Sequence, residues 1–504
     1  VNVLFNSLSF LIFFPAVTLA YFLLPYKARN YWLLAASYYF YMNWDAQYAL
    51  LLFGCTLITY VSGLLIGFSR KESWKSVPKE QRRSGSARLY VAVSFLLNLG
   101  LLGWFKYANF FFDNLRSLIG LFGIPLSVPK FDIILPVGIS FFTFQALSYT
   151  MDVYRGNVRV EKNFFQYALF VSFFPQLVAG PIERSDHLLT QFDEKHAFEP
   201  DRVERGLMMM LWGYFQKVVI ADRAAVLVNQ VFNYYTSYAG MEIAVGAMFF
   251  AVQVYCDFAG YTNIAIGSAQ VLGFDLMQNF REPYLARTVG EFWRRWHISM
   301  TSWFRDYLYI PLGGSRKGEL RHYVNVMIVF LVSGLWHGAM WTFVIWGGLN
   351  GLFQIIGSLT ANLRAGMLRT LHVNTAAFSH KLLQVVITFC LVDFSDIFFR
   401  ANSVRGALAM IEHLFSKFNP WILFDGTLYT MGLNRLDFWI TLAAVGVLFA
   451  VDVFHRKGME LRTALLRQNR LFRWAVCYGA IFAILIFGSY GPNYNAASFI
   501  YFRF

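Results

Sequence analysis

Long apolar runs recur from one end of this chain to the other, from Ser7–Leu24 through Gly240–Phe274 to Trp474–Tyr490. A helix of ~20 apolar residues crosses a ~30 Å hydrocarbon layer, and within that layer every backbone group must be satisfied internally. Only 14% of the residues are charged and 57% are hydrophobic, whereas a soluble domain carries roughly 25% charged residues. Few polar linkers break the sequence into separate cores. The expected architecture is all-α: a polytopic helical membrane protein, a single domain over residues 1–504, with about ten to twelve spans plus interfacial and re-entrant helices.

Lys and Arg counts orient the spans. The loops Arg70–Arg88 and His455–Arg473 are strongly basic and are expected in the cytoplasm. The net charge of +14 has two readings, the positive-inside bias of such loops or a site for an anionic donor such as a coenzyme A thioester. Solvated loops account for these basic runs, and no nucleic-acid partner is expected. The 54 Phe and 28 Tyr suit aromatic belts at both membrane interfaces. Cys55, Cys256, Cys390 and Cys477 sit in apolar runs without metal-ligand spacing, so they read as small buried hydrophobes, and no metal is expected. No basic segment precedes Ser7–Leu24 and no small-residue cleavage site follows it, so it is expected to be a retained span.

Several segments carry specific expectations. Lys106–Gly123 suits an interfacial helix. Phe164–Gly180 is expected to cross with a kink at Pro175. Gly240–Phe274 is long enough to cross nearly twice, with a break expected near Asp257 and Gly260. Tyr323–Leu359 is expected to form a hairpin that starts and ends inside.

Two histidines stand in the most unusual stretch, residues 281–351. His337 lies in an otherwise apolar run, and an ionisable group there is costly and by default a candidate for function; the alternative is a structural histidine bonded to a neighbouring helix. Gly334, Gly338 and Ala339 flank it, so a backbone or ligand can approach closely. His297 lies in a basic, Trp-rich segment. Helical spacing puts Trp293, His297, Thr301, Phe304 and Leu308 on one face and Arg295, Ser299, Ser302 and Asp306 on another, as in an amphipathic or re-entrant helix. The alternative for His297 is an interfacial residue among Trp and Arg anchors. Arg294, Arg295 and Arg305 could hold donor phosphates, for which the guanidinium fork is suited, or form structural ion pairs. Trp296 and Trp336 complete the candidate donor site. Pro311–Gly314 is too short for a phosphate loop, and no GxSxG or HExxH motif occurs.

The segments LPVGISFFTFQALSYTMDVYRG (Leu135–Gly156), FPQLVAGPIER (Phe174–Arg184), FWRRWHISMTSWFRDYLYIPLGG, SGLWHGAMWTFVIWG, FFRA (Phe398–Ala401) and the terminal FIYFRF resemble the membrane-bound O-acyltransferase family. Within it they are similar to bacterial polysaccharide O-acetyltransferases of the alginate type, and to the membrane proteins of peptidoglycan O-acetylation and teichoic-acid D-alanylation. The resemblance implies that His337 is the essential intramembrane histidine and that His297 is the second polar position. Asn350 departs from the pattern, since many relatives carry histidine there.

The resemblance further implies a multi-pass protein of the bacterial inner membrane with no bound cofactor. An acetyl group would pass from acetyl-CoA, a cytoplasmic thioester, toward hydroxyls of an extracytoplasmic polysaccharide, through a partner acetyltransferase. His337 would act as general base or acyl carrier, with His297 orienting the donor or stabilising the oxyanion. A secondary transporter or flippase would also carry intramembrane charges, but no inverted repeat is visible. A non-catalytic scaffold of a polymer-export complex would tolerate loss of both histidines.

Overall fold

The computed structural model describes residues 4–69, 85–124, 131–178, 180–490 and 499–500, and among them every regular element is helical. Most of the basic run Arg70–Arg88 and the last residues of the FIYFRF ending lie outside the described residues. The chain divides into two compact units, Val1–Leu207 with Ile264–Met277, and Met208–Asn263 with Gln278–Phe504.

The first unit opens with α1 (Leu8–Leu23), α2 (Tyr26–Met42), α3 (Ala46–Phe68), α4 (Gly85–Leu102), α5 (Ala108–Gly120), α6 (Ile139–Arg155), α7 (Phe164–Ser172) and α8 (Phe174–Leu177). Side-chain caps start several of them: Ser7, Asp45 and Asn163 each accept a backbone N–H of the first turn. α6 is buried along nearly its whole length against α3 and α4, so its polar side chains bond inward. Gln145 Nε2 donates to the Phe170 carbonyl at 2.6 Å, and Ser94 pairs with Thr150 at 3.2 Å. α5 is strongly amphipathic, as expected for Lys106–Gly123. The segment Phe164–Gly180 does not cross as expected. α7 has 9 residues, roughly 14 Å of helix, and the chain breaks at Phe173, one residue before α8 with Pro175 in its first turn.

In the next stretch α9 (Pro200–Tyr214) passes through a π-helical segment, Phe215–Ala221, into α10 (Asp222–Asn233). α11 (Met241–Leu272) is an unbroken helix of 32 residues, ~48 Å long, where a break and two passes were expected. The reason lies at the two residues that suggested a hinge. Gly260 is a contact surface: a Cβ there would stand 2.8 Å from the Gly213 carbonyl oxygen. Asp257 is neutralised in place, its Oδ1 accepting from Lys217 Nζ at 2.6 Å.

The second unit continues with α12 (Val289–Trp293), α13 (Ile298–Phe304), α14 (Glu319–His337), α15 (Trp341–Leu359), α16 (Ala361–Thr370), α17 (Phe378–Arg400), α18 (Val404–Ser416), α19 (Arg435–Arg456), α20 (Leu461–Leu466) and α21 (Arg470–Phe487). α14 and α15 form the expected hairpin. Their backbones touch at glycines: a Cβ on Gly334 would lie 2.3 Å from the Phe343 carbonyl oxygen, and one on Gly347 would lie 2.2 Å from that of Phe330. Small residues that admit such approach are the usual means of packing helices in lipid.

Among the described residues, seven helical stretches are long and apolar enough to cross a membrane. They are α3, the run Gly85–Gly120, α11, α15, α17, α19 and α21. Burial separates a core helix from a peripheral one: 83% of the spanning window of α11 is buried, against 6% for α21. The protein is thus an all-α, multi-pass membrane protein. Of the cysteines, Cys55 and Cys256 are buried as expected, but Cys390 is exposed and Cys477 half-buried.

Candidate active site

His337 is the last residue of α14, and the chain turns at Gly338 into α15. Its Nδ1 lies 2.7 Å from the carbonyl oxygen of Ser333, one turn back in the same helix. A carbonyl only accepts, so Nδ1 must carry the hydrogen, and in the neutral ring Nε2 then carries the lone pair. The ring is 2% exposed for the residue as a whole and is enclosed by aromatic side chains. Its centroid lies 5.0 Å from Trp336, 4.9 Å from Trp346 and 5.6 Å from Phe399.

His297 is brought beside it, with ring centroids 6.4 Å apart. It arrives there by a route that helical spacing does not give. The segment is not one helix from Trp293 to Leu308. It breaks after α12, and His297 itself takes a left-handed conformation, φ 44° and ψ 54°, before α13 begins. Left-handed backbone costs a non-glycine residue roughly 1–2 kcal/mol, so tertiary contacts must hold it. Ile298 N–H donates to the Asn279 carbonyl at 2.9 Å, and Ser299 Oγ donates to Asn279 Oδ1 at 2.6 Å. Phe258 meets the His297 ring edge-on at 4.7 Å, and the residue is wholly buried.

A narrow, partly open cavity lies beside His337. Val254, Val392 and Phe399 form apolar walls, while Asn350 and Asp396 supply polar ones. His297 is not among the residues that line it. Asn350 Oδ1 accepts from Trp293 Nε1 at 3.2 Å, and its Nδ2 donates to Ser395 Oγ at 3.0 Å and to the Trp346 carbonyl at 2.9 Å. The position that departs from the expected histidine is therefore a fastening between α12, α15 and α17. Asp396 accepts from Trp346 Nε1 at 2.9 Å. Sequence reasoning missed this carboxylate, although it lies in an apolar helix and so meets the same criterion that singled out His337.

The arginines of the candidate donor site separate. Arg295 bridges Glu282 and Glu291, each at 3.1 Å, and Arg456 joins Glu291 at 2.8 Å. Partial burial pushes the Glu291 carboxyl up, but the Arg287 backbone N–H and the Arg456 and Arg295 guanidiniums outweigh it and hold the group below its ordinary range. Arg295 thus ties down the segment that carries His297. Arg294 is exposed. Arg305 is also exposed and pairs with its neighbour Asp306 at 2.8 Å. Trp296 lines the cavity and stacks on Phe292 at 5.4 Å. Trp336 touches both histidines, 5.9 Å from His297 and 5.0 Å from His337 by ring centroid.

Such an arrangement can take a proton from a hydroxyl inside an apolar enclosure. Residues 157–392 match the pattern of the membrane-bound O-acyltransferase family. The chain is 39% identical over 420 residues to "Probable alginate O-acetylase AlgI" of Pseudomonas aeruginosa, covering 83% of this chain and 76% of that protein. It is 35% identical to "Peptidoglycan O-acetyltransferase" of Helicobacter pylori, with 81% and 79% covered. A more distant similarity, 26% identity over 44% of this chain and 58% of the other, links it to "Teichoic acid D-alanyltransferase" of Bacillus subtilis.

Proposed function

This chain belongs to the membrane-bound O-acyltransferase family and is an acyltransferase, and we propose that it moves acetyl groups from cytoplasmic acetyl-CoA across the inner membrane of a bacterium. The destination is the hydroxyls of an extracytoplasmic polysaccharide such as alginate, reached through a partner acetyltransferase. The names of the relatives support acetyl as the group and a cell-surface polymer as its destination. They differ among themselves in the polymer.

One observation carries the mechanism: the Nδ1–H bond of His337 to the Ser333 carbonyl, beside a cavity. It leaves Nε2 as the basic nitrogen. A hydroxyl is a poor nucleophile until a base takes its proton. In the proposed step the acceptor hydroxyl loses its proton to Nε2 as its oxygen bonds to the thioester carbonyl carbon. Collapse of the tetrahedral adduct breaks the carbon–sulfur bond, and the departing thiolate takes the proton from Nε2. The products are an O-acetyl ester and coenzyme A thiol, and the imidazole is regenerated.

His297 would orient the donor or steady the oxyanion. Arg294, being exposed, is better placed than Arg295 to meet a donor's phosphates. Trp296, which lines the cavity, would pack against the acyl group. The test is polymer O-acetylation in cells carrying His337→Ala at matched protein level. Loss of acetyl esters is the expected result, and wild-type acetylation would overturn the assignment.

A further inference from the structure

A base that works inside an apolar enclosure becomes a buried cation halfway through each turnover. An imidazolium with no counter-charge is costly in such surroundings, so the wall of the His337 cavity is the place to look for one. Among the residues that line it, Asp396 is the one carboxylate. It is only 8% exposed. It is also held in place: Trp346 Nε1 donates to its Oδ1 at 2.9 Å. The same Trp346 indole lies 4.9 Å from the His337 ring. One turn further along α17, Phe399 lies 5.6 Å from that ring and 4.9 Å from Trp346. The carboxylate and the imidazole thus share one cavity and one intervening indole.

We propose that Asp396 is a positioning residue for acyl transfer: its carboxylate, fixed by Trp346, is the counter-charge that stabilises the His337 imidazolium while the acceptor's proton rests on Nε2. The inference rests on His337 being the base. Asp396 makes and breaks no covalent bond; it lowers the energy of the charged state between proton uptake from the hydroxyl and proton return to the thiolate. Asn350, the other polar lining residue near it, is neutral and already bonded to Trp293, Trp346 and Ser395, so it cannot take over this role.

Asp396→Asn keeps the size and an acceptor oxygen for Trp346 while removing the charge. Two readouts separate a charge effect from a packing effect. The first is acetyl ester on surface polysaccharide in cells at matched protein level. The second is hydroxamate formation by membranes given acetyl-CoA and hydroxylamine, a nucleophile that attacks without prior deprotonation, counted above the rate in membranes that lack the protein because hydroxylamine also cleaves thioesters unaided. Asp396→Asn is expected to lower polysaccharide acetylation about 10- to 100-fold, a part of the ~10²–10⁴-fold that general base catalysis supplies. Hydroxamate formation and the KM for acetyl-CoA should stay within about twofold of wild type. Asp396→Glu, which restores the charge, should recover part of the lost acetylation. Equal loss in both assays would mean that Asp396 serves only the packing of Trp346, and unchanged acetylation would mean that it serves nothing in the reaction; either result overturns the inference. Failure of the underlying reading is distinguishable, because then His337→Ala would itself retain polysaccharide acetylation.

Discussion

The rings of His297 and His337 lie 6.4 Å apart, yet only His337 borders the cavity; His297 is wholly enclosed behind it. Proximity alone therefore does not make the two equivalent. His337→Ala should abolish acetylation, a loss of 100-fold or more on the scale of ~10²–10⁴ for general base catalysis. His297→Asn, which tolerates left-handed backbone, should lose roughly tenfold and leave protein levels unchanged. His297→Val should instead reduce the folded yield, since a β-branched residue is strained at φ 44°. Acetyl-ester analysis alongside immunoblots checks all three.

The α14–α15 hairpin depends on contact between backbones. Gly334→Ala would set a methyl 2.3 Å from the Phe343 carbonyl oxygen, and such overpacking costs roughly 1–3 kcal/mol. We expect a lower melting temperature in detergent and reduced activity, because Ser333 and His337 flank the site. Gly348→Ala is the control: its Cβ would meet Leu331 Cδ2 at 3.5 Å, an ordinary contact, and stability should be unchanged or slightly higher.

Lys217, wholly buried, donates to Asp222 at 2.7 Å and to Asp257 at 2.6 Å. Asp257 in turn accepts the Ile500 backbone N–H at 2.7 Å. Removing the cation strands two buried carboxylates, and breaking a buried ion pair costs about 3–5 kcal/mol. Lys217→Met should therefore be expressed poorly or melt far below wild type. Lys217→Met combined with Asp222→Asn and Asp257→Asn should recover much of the loss, as read by fluorescence-detected size exclusion.

Acidification should loosen the Arg295–Glu291–Arg456 bridge. Glu291 titrates below its ordinary value of 4.5 in the folded protein, so its contribution is complete above that pH and is lost as pH falls through the lower, folded value. Between pH 5 and pH 3 the melting temperature should drop more steeply for wild type than for Glu291→Gln, which starts lower and has no such charge to lose. Parallel slopes would argue against the bridge.

How far the sequence discloses this molecule depends on what kind of contact decides each feature. The hairpin and His337 were legible, because apolar length and a lone ionisable residue are local signals. The left-handed turn at His297 was not: it is selected by Asn279, far upstream in the chain, whose carbonyl takes the Ile298 N–H. Helical spacing put Trp293 and His297 on a shared face, and the fold separates them by a break. The long α11 misled in the opposite sense. Gly260 and Asp257 look like a hinge in one dimension, but Gly213 and Lys217 fill them in three. Asp396 was visible as an acid in an apolar helix and was passed over because no motif marked it.

The ring of His337 takes its hydrogen-bond partner from its own helix, four residues back. That bond lies within α14, while Val254 of α11 and Val392 and Phe399 of α17 shape the surrounding walls. Substitutions at Val254 and Val392 can retune what the enclosure admits while leaving that bond within α14 in place. Wall positions of this kind leave such a scaffold able to change its customers over evolutionary time while keeping one reaction.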